Sequence, residues 1–148
     1  AFPGARWGIP FHGYPIPHKY PGRDVRTRQG LYPGMPDVQG IAFWPEGRLT
    51  ALECPGEGEF ATVGIVPPGG SIRLNASIQP TGYVQVAVQR LGSGEIPARG
   101  FGDMDPLAGD GLSMPVTWRG DPSLGHEGAP IILRFRLRQA KLFGVTFI

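Results

Sequence analysis

Three aspartates, Asp103, Asp105 and Asp110, fall within the irregular stretch 98–111. Hard cations take several oxygen ligands, and Asp-x-Asp spacing presents two carboxylates to one ion, so these residues form a candidate Ca²⁺ site. The glycine and terminal glutamate of an EF-hand loop are missing, which favours a second role. Asp side chains also accept bonds from nearby backbone N–H groups and so shape loops. Glu53, Glu57 and Glu59 form the other carboxylate group. Glycoside hydrolysis needs two carboxyls flanking one bond, and nothing in a Gly-rich stretch imposes that placement. His12, His18 and His126 lie far apart in the sequence. Ser113 and Ser123 lack a nucleophile-elbow context, and Cys54 has no base beside it. No catalytic residue is expected, and the chain reads as a non-enzyme.

Aromatic residues are the remaining chemical resource. Trp7, Tyr20, Trp44 and Tyr83 are candidates for stacking against a sugar ring. Two of them lie in the first forty residues, where Pro3, Pro10, Pro15, Pro17, Pro21, Pro33 and Pro36 rule out a helix or a long central strand. Residues 1–38 are therefore expected to form an extended arm rich in Pro, Gly and aromatics. Its rings need cover from its own core or from a neighbouring chain.

The elements that would position these groups follow a period of two. In 131–138, Ile131, Leu133, Phe135 and Leu137 alternate with Arg134, Arg136 and Arg138, so the apolar set shares one face of a strand. Gln139-Ala140 reads as a turn into a second strand carrying Phe143, Val145 and Phe147, giving a hairpin over 131–148. The arginine stripe reads as a solvated face or a surface for an anionic polymer. Residues 71–78 bury Ile72, Leu74, Ala76 and Ile78, and Pro80-Thr81-Gly82 turns the chain into 83–90 with Val84, Val86 and Val88 inward. Leu112, Met114, Val116 and Trp118 form a further apolar set. Upstream, 41–44 turns through Pro45-Glu46-Gly47 into 48–53, and 60–66 adds another strand. About eight short strands without an amphipathic helix predict an all-β antiparallel sandwich or jelly roll over 39–148, behind the arm 1–38.

Composition agrees. The 24 glycines and 17 prolines suit a turn-rich fold, and a 41% hydrophobic content suits a packed core. A net charge of +2, with scattered basic residues, argues against a nucleic-acid partner. No apolar run is long enough for a membrane span. One cysteine excludes an internal disulfide and leaves the compartment open. Asn75-Ala76-Ser77 matches the glycosylation sequon within a strand pattern. With Ala1 first and no signal peptide visible, the chain is expected to be a processed product or a piece of something longer.

Three segments carry a resemblance: Gly100-Phe-Gly-Asp-Met-Asp-Pro-Leu-Ala-Gly-Asp110, Pro115-Val-Thr-Trp118-Arg-Gly120, and the run from Ile132 to Phe143. Together they resemble the C-terminal β-sandwich of secreted bacterial proteins related to glycoside hydrolase families 32 and 43. Such proteins place that sandwich after a five-bladed propeller, and the stretch from Gln39 to Leu52 resembles the join, so that the resemblance covers roughly residues 39–148. The resemblance implies an extracellular accessory module, because the family's catalytic carboxylates belong to blades that residues 39–148 do not contain. It also implies a partner, either another chain or the rest of a propeller, with 1–38 as a propeller remnant. Glu53-Cys54 is similar to a short acidic motif of those enzymes but falls at the start of the sandwich, so no catalytic role passes to it. Two other functions fit the same residues. One is a self-assembling structural protein that contacts neighbouring subunits through its arm, making a homo-oligomer. The other is a carbohydrate-binding module, with a glycan on the aromatic residues.

Overall fold

The computed structural model describes residues 6–13 and 38–148. Seven strands are found there: β1 (Arg6–Gly13), β2 (Val38–Pro45), β3 (Leu52–Ala61), β4 (Ile72–Arg90), β5 (Gly94–Glu95), β6 (Gly109–Pro115) and β7 (Ile131–Phe147). One 3₁₀ turn covers Phe101–Asp103. The fold is all-β and every pairing is antiparallel. The chain divides into two compact units, Ala1–Glu46 and Gly47–Ile148.

In the first unit β1 pairs with β2, setting Trp7 opposite Trp44, Ile9 opposite Ala42 and Phe11 opposite Gly40. Strand 41–44 was expected to turn through Pro45-Glu46-Gly47 into 48–53. It pairs backward instead, and the division falls after Glu46 rather than after residue 38. Pro10 does not prevent β1 from forming, because a two-stranded sheet leaves each strand an outer edge where a missing N–H costs nothing.

In the second unit the sheet order is β3-β7-β4-β5, and β6 also pairs with β4. The expected hairpin over 131–148 is a single 17-residue strand, and 72–90 is a single 19-residue strand. The two apparent turns are one shared bend. Ile78 pairs with Ala140 and Tyr83 with Arg138, so residues 79–82 stand opposite Gln139 alone. Gln139 has a φ of +44°. A Cβ at residue 82 would collide with the Arg138 carbonyl oxygen, so Gly82 permits the close approach of the two backbones.

The bend also switches the buried face of β7. Ile131, Leu133, Phe135 and Leu137 are buried before it, then Ala140 and Leu142 after it. A second irregularity opposite Asn75 and Ala76 inserts one residue, Phe143, so Val145 and Phe147 become the pair packed on the core. Phe143 was expected to share their face. Instead it stacks under the Arg48 guanidinium, 4.6 Å from the ring centre. Similarly, β6 carries an extra residue where Leu74 pairs with Met114 but Ala76 with Gly111. This turns Leu112 outward, 51% exposed, although alternation alone grouped it with Trp118.

The bend makes two layers from one strand pair. The Val116 N–H donates to the Ile72 carbonyl at 3.2 Å. Trp118 Nε1–H donates to the Val86 carbonyl at 3.0 Å. Ile72 and Val86 would stand roughly 46 Å apart on a straight strand, whereas residues 116 and 118 are separated by at most about 7 Å of backbone. The halves of β4 must therefore face each other. Between them lies one apolar core that includes Leu74, Val86, Trp118, Leu124, Leu133 and Phe135.

Candidate functional site

The acidic loop is held by protein donors. Asp105 accepts from Thr117 Oγ1 at 2.5 Å and from the Gly120 N–H at 2.7 Å. The Thr117 hydroxyl first, then the Gly120 amide, lower its pKa. Asp103 forms an ion pair with Arg119 and accepts from the Gly100 N–H at 3.2 Å. Asp110 lies elsewhere, 2.5 Å from Arg48, which lowers its pKa chiefly through that hydrogen bond. The three aspartates therefore do not converge. Among the described residues no group of three or more metal-ligating side chains occurs.

The glutamates are similarly engaged on β3. Glu53 pairs with Lys141 at 3.2 Å. Glu59 sits between Arg134, bound through Nε at 2.9 Å, and Arg136, at 3.2 Å through Nη2. Arg134 above all holds the Glu59 pKa down. A proton donor working near neutrality needs the opposite shift. Both guanidinium groups also lie over the Phe101 ring, at 5.1 and 4.3 Å. Arg134, which also lies 3.6 Å from Glu95, and Arg136 are thus paired and stacked in place, which suits a structural ladder better than an anion-binding stripe. Glu57 accepts from Tyr83, whose pKa is raised by burial first and by Glu57 second.

A buried arginine organises the loops beside the core. Arg99 Nε donates to the Ser123 carbonyl at 2.5 Å and Nη1 to the Ala98 carbonyl at 2.8 Å. It also pairs with Asp121 and lies 5.5 Å from the Trp118 ring centre. Its charge is spent on holding the 98–125 segment over β4.

Of the sugar-stacking candidates, Trp7 and Trp44 come together as a directly opposed cross-strand pair. Tyr83 belongs to the other unit, and Tyr20 lies outside the described residues, as does most of the arm. Alternation in β1 and β2 puts Trp7, Ile9, Phe11, Val38, Ala42 and Trp44 on one face. No ionisable side chain is among them. Trp7, Ile9, Phe11 and Val38 are exposed, while Trp44 is half-buried. The alternation Trp7-x-Ile9-x-Phe11 was the available signal for this face, and reading Pro10 as a strand breaker concealed it.

Two open concavities occur on the second unit. One, of about 540 Å³, is lined at the bend by Glu53, Gln79, Thr81, Gln139 and Lys141. The other, of about 420 Å³, is lined by Leu52, Phe60, Phe135, Phe143 and Val145. No helix among the described residues is long and apolar enough to cross a membrane. No family model, curated protein or solved structure matches the chain.

Proposed function

We propose that this protein is a non-catalytic β-sandwich module that acts by binding another polypeptide, with the β1–β2 hairpin as its contact element. The observation carrying this reading is the uncharged face of Trp7, Ile9, Phe11, Val38, Ala42 and Trp44. A lone two-stranded sheet is marginal in water, and its apolar face needs cover. The contrast within the chain supports the reading. The edge strand β3 carries Glu53, Pro55, Glu57, Glu59 and a bulge, which are devices that keep an edge from pairing. The stretch from Val38 to Trp44 has no charge, no proline and an unbroken register.

The resemblance carried by residues 100–143 supports an accessory role in an extracellular, glycosidase-like protein. A glycan is the other occupant to weigh, because Trp7 and Trp44 adjoin. Sugar sites set a few polar groups beside the ring, and the neighbours here are Ile9, Phe11, Val38 and Ala42. This favours protein over sugar.

Binding of an apolar dye by the full chain, against a Trp7→Ser/Phe11→Ser variant, tests the contact element. Loss of most of the dye signal with the sandwich still folded is expected, and unchanged binding overturns the assignment. Turnover of a fructan, arabinan or aryl-glycoside that disappears in Glu53→Gln would overturn the non-catalytic reading.

A further inference from the structure

We infer that the occupant of the β1–β2 face is the same face of a second copy of this chain. The inference rests on the hairpin being the contact element and names its partner.

Shape comes first. One end of the face carries the Trp7–Trp44 pair, and the other carries Gly13 opposite Val38, with the Phe11 ring lying flat over Gly40. A Cβ at residue 40 would stand 2.9 Å from that ring, so the glycine keeps this end low. A two-fold axis lying in the plane of contact, across the strands, lays the tall end of each copy over the low end of the other, as an isologous contact requires. Self-pairing usually fails by placing like charges together. Trp7, Ile9, Phe11, Val38, Ala42 and Trp44 carry none.

Area then sets the strength. Trp7 is 50% exposed, Ile9 43%, Phe11 48% and Val38 52%. With large rings offering 150–250 Å² each, the face exposes roughly 400 Å² of apolar surface. Two such faces bury roughly 800 Å² of side chain, short of the about 1,200–2,000 Å² of a standard stable interface. The pairing is therefore a weak, reversible dimer.

Sedimentation velocity on the full chain over a concentration series tests this, with acrylamide quenching of tryptophan fluorescence on the same samples. Trp118 is fully buried, so any change in quenching comes from Trp7 and Trp44. Dimerisation with falling quenching is expected. Ile9→Lys, at the centre of the face, should weaken the dimer at least 10-fold, while Leu112→Lys, on β6, should leave it unchanged. Near-ultraviolet dichroism from Trp118 checks that both variants keep the sandwich. A chain that stays monomeric at several hundred micromolar overturns the inference. So does a dimer that survives Ile9→Lys or dissociates on Leu112→Lys. The Trp7→Ser/Phe11→Ser dye experiment separates the two ideas. A monomer whose dye binding is lost in that variant keeps the contact element and rejects only the second copy.

Discussion

Replacing Trp118 by Phe tests the account of how the two layers are joined. Trp118 is 1% exposed, and its Nε1–H is given to the Val86 carbonyl at 3.0 Å. The N–H of the same residue goes to Met104 Sδ at 2.9 Å, so side chains satisfy both groups on that edge of β4. Phenylalanine keeps an aromatic ring but deletes the donor, leaving a buried carbonyl unpaired at a cost of about 1–3 kcal/mol. The smaller ring adds a void of roughly 1 kcal/mol, and the Arg99 stacking weakens by at most about 0.5 kcal/mol. The total is about 2–4 kcal/mol, a large fraction of the ~5–15 kcal/mol of an ordinary domain. At about 4–8 °C per kcal/mol for a unit near 100 residues, Tm should fall by roughly 8–32 °C. Urea unfolding followed by far-ultraviolet dichroism measures this without relying on the missing fluorophore. Met104→Leu keeps the volume and orphans the Val86 N–H, so it should be destabilising too, and the two changes should couple in a double-mutant cycle. A loss below about 0.5 kcal/mol for Trp118→Phe would refute the claim that this bond ties the halves of β4 together.

The bend makes a sharper demand: Gly82→Ala, whose methyl meets backbone rather than a movable side chain, should lower Tm by several degrees, and an unchanged melt would remove the close-approach argument. Stability should also fall in acid. Glu59, Asp105, Asp110 and Asp121 have pKa values below their ordinary range when folded, so their contribution is full above the unfolded value near 4 and is lost as pH falls through the folded values. Asp105→Asn should flatten part of that acid limb in urea titrations at pH 2–5, and an unaltered limb would show that Thr117 and Gly120 do not hold the charge. Because protein donors occupy Asp103, Asp105 and Asp110, chelation should leave the melting curve where it is. A chelator-induced drop that Asp105→Asn abolishes would restore the Ca²⁺ site.

Alternation was legible from the residues alone. Side chains of an extended chain point to opposite faces every second position, so Ile72-x-Leu74-x-Ala76-x-Ile78 and Ile131-x-Leu133-x-Phe135-x-Leu137 declare both strand and core face. The all-β class and the burial of Trp118 followed from that local rule. The candidate site was less legible. The carboxylates could be named, yet their partners Arg48, Arg119 and Arg134 lie 62, 16 and 75 positions away, and no local pattern encodes such pairing.

Tertiary structure decided the rest. Pro80-Thr81-Gly82 and Gln139-Ala140 each look like the end of a strand, because turn residues have the same local preferences in a hairpin and in a bulge. Only their juxtaposition across β4 and β7 turns two apparent reversals into one bend, and with it two apparent hairpins into two long strands folded into layers. The extra residues opposite Leu74–Ala76 and Asn75–Ala76 likewise moved Leu112 and Phe143 off the core. A bulge is a property of the strand pair, so register, and therefore which residue faces in, is settled only when the partner strand is in place.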